Sequence, residues 1–140
     1  MAHQELPHNH GQLIDQVFEQ MPDQTEFQKA ADVLRQLGDY SRLRLFWILC
    51  HCEECVINLS AMMGMSSPAL SHHLKQLRTS GLILSRRDGK EVYYRCADTE
   101  QAHLLHQLVE QLIAISCPQP PAGLSGDGGG RDESKSADRH

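Results

Sequence analysis

No run of apolar residues in this chain approaches the ~20 that a membrane-spanning helix needs, which excludes a helical membrane protein. The opening residues, MAHQELPHNHGQ, lack the basic-then-apolar pattern of a secretory signal, so a cytoplasmic protein is expected. No internal repeat is present, which excludes a solenoid or propeller. The chain also lacks an overall positive charge. Its formal net charge is −5, which by itself argues against a polyanionic partner. The 140 residues suffice for one domain with tails, and 40% hydrophobic content suffices for a modest core.

The distribution of charge reverses the argument from the total. Residues 1–40 carry seven acids against two bases, and residues 96–140 carry seven against three. Residues 41–95 carry eight bases (Arg42, Arg44, Lys75, Arg78, Arg86, Arg87, Lys90 and Arg95) against four acids. A basic segment lies between two acidic ends, and the local field governs binding of a polyanion.

Periodicity sets the element order. GQLIDQVFEQMP has apolar residues at 13, 14, 17, 18 and 21, a helical stripe ended by Pro22. TEFQKAADVLRQLGD repeats the pattern at 27, 30, 31, 34 and 37 and stops at Gly38. Asp39 or Ser41 can cap SRLRLFWILC, in which Leu43, Phe46, Trp47 and Cys50 share a face. A short helix, VINLSAMMG, ends at Gly64. In MSSPALSHHLKQLRTSG, Ser67 suits the N-cap, Pro68 the first turn, and Gly81 the stop. The period then falls to two. LILSRR and KEVYYRC flank Asp88-Gly89, a two-residue hairpin signal. Asp98 or Thr99 starts a last helix, EQAHLLHQLVEQLIAIS, and the tail from Pro118 has almost no apolar content, the composition of a disordered segment. Helices, a tight helix-turn-helix, a basic hairpin and a closing helix make a winged helix-turn-helix, mainly α with a β-hairpin wing.

Leu70, His73, Leu74 and Leu77 form the inward stripe of the helix after Pro68, and Ser71, Lys75 and Arg78 its polar stripe, with His72 and Gln76 beside it. Such a helix fits a major groove. Hydroxyls near its start, including Ser66 and Ser67, suit phosphates or base edges, and Lys and Arg suit phosphates or guanine. Arg86, Arg87 and Lys90 at the hairpin tip reach the backbone or minor groove beside it. An ordinary solvated face is the competing account of each. The turn before the helix and the basic hairpin after it favour double-stranded DNA.

The stretch from Leu37 to about Ser116 resembles the ArsR/SmtB family of metal-responsive winged-helix repressors. The segments that carry the likeness are LGDYSRLRL, EECVINLSAMMGMSSPALSHHLKQLRTSGLI and SRRDGKEVYYR. The resemblance implies a homodimer joined by its first and last helices, and an operator complex that an effector weakens. The family's sensing motif reads Glu-Leu-Cys-Val-Cys-Asp-Leu. Here it is EECVINL, where Cys55 matches the first cysteine, Ile57 replaces the second and Asn58 replaces the Asp. The family's other site opens its last helix with Asp-x-His. Here Glu100 follows two after Asp98, and the downstream spacing departs from the pattern. His103, His106 and Glu110 lie within about 60° of one another on that helix, as a solvated face would.

CHCEEC, residues 50–55, is the densest chemistry in the chain. In a reducing compartment, clustered cysteine points to metal or redox chemistry rather than to structural disulfides. Cys52 and Cys55 have C-x-x-C spacing, Cys50 supplies a third thiol, and Cys117 is a possible fourth ligand. Thiolates select Zn, Cd, Pb, Cu(I) or As(III). Glu53 and Glu54 favour the N-terminus of the next helix. Cys96 is expected as a small apolar filler, and His3, His8 and His10 as a flexible leader.

Together these readings give an N-terminal extension with a dimerisation helix (1–22), a winged helix-turn-helix (23–117) and a disordered tail (118–140). The expected function is a transcriptional repressor released from its operator by a thiophilic metal or metalloid ion. A thiol-redox or reactive-sulfur sensor of the same fold is the first alternative, and a winged-helix adaptor that binds no DNA is the second. No enzyme activity is expected, because a Cys–His catalyst needs an orienting third group and a substrate pocket. DNA binding itself needs no cofactor.

Overall fold

The computed structural model describes residues 5–116. His3, Cys117 and the tail lie outside the described residues. The chain forms two compact units, the first ending at Ala97 and the second beginning at Asp98.

The first unit holds helices α1 (Ile14–Gln20), α2 (Gln24–Leu37), α3 (Tyr40–His51), α4 (Val56–Met63) and α5 (Ser67–Thr79). It also holds strands β1 (Glu54–Cys55), β2 (Ile83–Asp88) and β3 (Glu91–Cys96). Asp23 caps α2 by accepting from the Glu26 amide, and Asp39 caps α3 by accepting from the Arg42 amide at 3.0 Å. Gly64, at φ 67°, ends α4 in the left-handed conformation that glycine adopts without strain. Ser66, not Ser67, is the N-cap of α5. Its Oγ accepts from the Ala69 amide at 3.3 Å, and Pro68 lies in the first turn. Ser66 holds the extended conformation of the cap and Ser67 is the first helical residue, its hydroxyl 3.2 Å from that of Ser60 across the turn.

The sheet order is β1-β3-β2, all antiparallel. Asp88 pairs with Glu91, so the hairpin turns at Gly89-Lys90, one residue later than the Asp88-Gly89 signal suggests. Strand β1, two residues from the cysteine-rich stretch, pairs with the wing through Glu54–Tyr94 and Cys55–Tyr93. No periodicity announces so short a strand.

Leu45, Phe46, Leu59, Leu70, Leu74, Leu77, Leu82 and Ile83 are the largest fully buried side chains. Each contributes roughly 1.5–3 kcal/mol by leaving water. The buried face of α3 is Leu45, Phe46, Ile48 and Leu49 rather than Leu43, Phe46, Trp47 and Cys50. Helix α3 packs against α2, α5 and β3, and the side it buries is turned from the expected stripe, with Leu43 and Cys50 left at its margins. Trp47 stays 37% exposed.

The second unit is α6 (Glu100–Ser116), capped by Thr99 Oγ1 accepting from the Ala102 amide. Ala102, Leu105 and Val109 are its buried residues, while Leu104, Leu108, Leu112 and Ile115 form an exposed apolar row. Among the described residues no helix is long and apolar enough to cross a membrane.

Candidate nucleic-acid interface and thiol cluster

Helix α5 turns Leu70, Leu74 and Leu77 into the core, which fixes the opposite direction for the rest. Ser71, His72, Lys75 and Arg78 are exposed, and Gln76 is half-buried. His73 sits at the boundary as expected. Its Nδ1 lies 4.0 Å from Asp39 Oδ2, at the limit of an ion pair and beyond hydrogen-bond reach. The Arg42 amide bond, opposed by partial burial, holds the Asp39 carboxyl below its usual range.

The wing sorts its side chains by the two-residue period. Ile83, Ser85 and Arg87 share one face of β2 with Tyr94 and Cys96 of β3. That face meets α5, since Arg78 Nη1 reaches Ser85 Oγ at 3.4 Å. Arg87 thus lies on the face of β2 that meets α5. Arg86 points the other way, with Tyr93 and Arg95. Glu53 covers that second face. Its two oxygens accept from Arg86 Nε and Nη2 at 2.8 Å each, and Arg95 Nε lies 3.8 Å away. The Arg86 guanidinium also lies 4.9 Å over the Tyr93 ring. The guanidinium hydrogen bonds hold the Glu53 carboxyl below the usual carboxylate range and push Arg86 up.

Other bases of the middle segment have structural roles. Arg42 Nε donates to the Gln36 carbonyl at 2.9 Å, and Arg44 Nη2 to the Met62 carbonyl at 3.3 Å. Lys75, Arg78, Arg87 and Lys90 are exposed beside α5 and the wing tip, as are Arg86 and Arg95, which face Glu53. Ser66 and Ser67 are exposed at the helix start, with the hydroxyl contacts already given.

The three thiols of CHCEEC do not converge on one another. Cys50 Sγ lies 3.3 Å from Cys96 Sγ, a contact between α3 and β3. Cys52 follows α3 and directs its thiol back to the Ile48 carbonyl at 3.4 Å. Burial first, and the Glu54 charge second, raise its pKa. Cys55 is buried, pairs with Tyr93 and sits at the N-cap position of α4. Among the described residues, Cys50, Cys52 and Cys55 do not form a group of ligand atoms within 4.8 Å of one another. The donor chemistry suits a thiophilic ion, but three-thiolate coordination needs local rearrangement. Cys96 lies on the core side of β3 beside Ile83, as a small filler would, and there meets Cys50 of α3. Nothing in the local pattern signals that contact.

The imidazoles of His8 and His10 stack at 5.8 Å in the leader. On α6, His103 Nε2 is 3.0 Å from Asp98 Oδ1, and His106 Nε2 is 3.6 Å from Glu110 Oε1. Glu53 is the functional candidate that sequence reasoning missed, since only the folded sheet sets it against the wing.

Comparison with known proteins bears on the same elements. A family model described as bacterial regulatory protein, arsR family, matches residues 39–85, from the α3 cap to the middle of β2. The chain is similar to a transcriptional repressor SmtB homolog of Synechocystis sp., with 36% identity over 103 residues, covering 74% of this chain and 78% of that protein. It is similar to the arsenic resistance transcriptional regulator ArsR2 of Pseudomonas putida, with 36% identity over 80 residues, covering 56% of this chain and 69% of that one. Among solved structures, a homodimeric winged helix-turn-helix DNA-binding domain from Mycobacterium bovis superposes with a TM-score of 0.60. Its identity is 29%, and the match covers 71% of this chain and 92% of that one. These relatives are regulators, not enzymes.

Proposed function

The chain belongs to the arsR family of bacterial regulatory proteins, and on that footing we propose that it is a homodimeric repressor released from its operator by a thiophilic ion. The observation that carries the reading is the single outward face of Ser71, Lys75 and Arg78 on α5, with Arg87 projecting on the same side from the wing. Two such faces in a dimer match two half-sites about one helical turn apart. The exposed row Leu104, Leu108, Leu112 and Ile115 supplies apolar surface for a second copy.

Cys50, Cys52 and Cys55, with Cys117 as a further candidate, are the residues that would hold Zn, Cd, Pb, Cu(I) or As(III). The ion would supply charge neutralisation that lets thiolates approach one another. The chain transmits the result through β1. Cys52 and Cys55 bracket Glu53 and Glu54, and Cys55 and Glu54 are hydrogen-bonded into the wing sheet. A change in the Cys52–Cys55 separation therefore moves the segment carrying Glu53, which grips Arg86. An ion that weakens DNA binding must bind the DNA complex less tightly by the same factor, typically ~1–3 kcal/mol. The raised pKa of Cys52 means that binding displaces a proton there, so apparent ion affinity rises with pH.

The test is fluorescence anisotropy of the full chain on DNA from its own promoter, with and without each ion. Steeply salt-dependent binding and release by at least one ion are expected. Cys55→Ser is expected to bind DNA and lose the response. Absence of binding at low salt overturns the repressor, and release that survives serine at Cys50, Cys52 and Cys55 together overturns the site.

A further inference from the structure

Cys50 and Cys96 are 46 residues apart in sequence, yet their sulfurs are 3.3 Å apart, each half-buried between α3 and the core face of β3. A disulfide needs about 2.0 Å between sulfurs, so closing the pair takes roughly 1.3 Å of approach. We propose that Cys50 and Cys96 form a dithiol site that a hydroperoxide oxidises to an intramolecular disulfide, stapling the second wing strand to α3. Resting on the ion reading above, oxidation also withdraws Cys50 from the proposed ligands.

The chemistry balances without a cofactor. One sulfur attacks the peroxide oxygen, the O–O bond breaks, and a sulfenic acid forms as water or an alcohol leaves. The second sulfur attacks the sulfenic sulfur, the S–S bond forms, the S–O bond breaks, and a water leaves. Two thiols lose two electrons and two protons in all, and the peroxide takes them.

The geometry sets the consequence. The closed loop contains α4, α5 and both wing strands, the entire DNA-reading portion of the first unit. Neither sulfur belongs to α5 or to the exposed wing tip, and the required shift is small. The disulfide thus holds the reading surface in place rather than dismantling it. A long loop closed by a bond lowers the entropy of the unfolded chain, so the thermal midpoint rises, on the order of 5–15 °C.

The experiment uses the full reduced chain treated with stoichiometric hydrogen peroxide and digested without reductant. Mass spectrometry is expected to find the Cys50 and Cys96 peptides joined, 2 Da below the sum of the reduced pair, with operator affinity within about threefold of the reduced protein. Cys96→Ser and, as a second variant, Cys96→Ala are expected to lose both the joined peptide and the rise in Tm. Cys52→Ser and Cys55→Ser are expected to keep both. Linkage of Cys50 to Cys52 or Cys55, linkage between chains, or full alkylation of Cys96 after peroxide treatment overturns the proposal. Cadmium added to each redox form separates the two readings. A reduced protein that ignores cadmium counts against the ion reading and leaves the disulfide standing, whereas equal release of both forms overturns the withdrawal of Cys50.

Discussion

Helix α5 and the stretch from Cys50 to Cys55 are both short and rich in reactive groups, but they present them differently. On α5, Ser71, Lys75 and Arg78 project together because Leu70, Leu74 and Leu77 anchor the opposite side. Between Cys50 and Cys55 the backbone passes from helix to extended strand, and each thiol takes a direction set by a different neighbour. Cys50 faces β3, Cys52 the end of its own helix, and Cys55 the sheet. A regular helix converts sequence spacing into a shared direction. A junction between elements does not, and its side chains answer to whatever packs beside them.

The sharpest break of this contrast is loss of the anchor. Leu74→Ala, at a site 1% exposed, is expected to cost about 2–5 kcal/mol in urea unfolding, with DNA binding failing in step. If DNA binding survives a large loss of stability, the direction of the polar face does not depend on that anchor.

Next come the two neighbouring wing arginines. Arg87→Ala is expected to weaken operator binding on the order of tenfold and to reduce the salt slope by about 2 per dimer, two phosphate contacts. Arg86→Ala is expected to change affinity less than about threefold, because Glu53 already engages that guanidinium. Equal losses in anisotropy titrations would erase the difference between the two faces of the wing.

Glu53→Gln removes a negative charge and weakens the grip on Arg86. A rise in DNA affinity of about two- to threefold is expected, together with a weaker ion response. Acid should mimic it. The Glu53 pKa is depressed, so its contribution is present above the unfolded value of about 4.3 and disappears as pH falls through the lower folded value. An unchanged response to ions in Glu53→Gln would disconnect the junction from the wing.

The smallest effect is expected at Ser71→Ala. Mean affinity should move about twofold or less, with a change in relative affinity among operator variants. A uniform loss across all sequences would assign Ser71 to the backbone instead.

The order of elements was legible because periods of 3.6 and two, Gly64 and the Asp39 cap are local signals. The errors were also local. The α5 cap fell one residue early, at the extended Ser66, and the hairpin turned at Gly89-Lys90. Trp47 stayed partly exposed because the buried side of α3 carries Leu45, Phe46, Ile48 and Leu49, and Trp47 lies off it, against the His51 ring. For the candidate site, the outward polar face of α5 was visible in spacing alone. The partners of Arg86 and Cys96 were not, since Glu53 lies 33 residues and Cys50 46 residues away from them.

The sequence by itself determined the winged helix-turn-helix order, the inward leucines of α5 and the basic middle segment, because periodicity, capping and charge act over a few residues. Tertiary structure alone decided that two residues of the thiol-rich stretch join the wing sheet, that Arg86 turns to Glu53 while Arg87 turns toward α5, and that Cys50 meets Cys96. Those outcomes depend on strand register and on which faces of α3 and β3 come together, and hydrogen-bond pairing and core packing choose these between segments far apart in the chain.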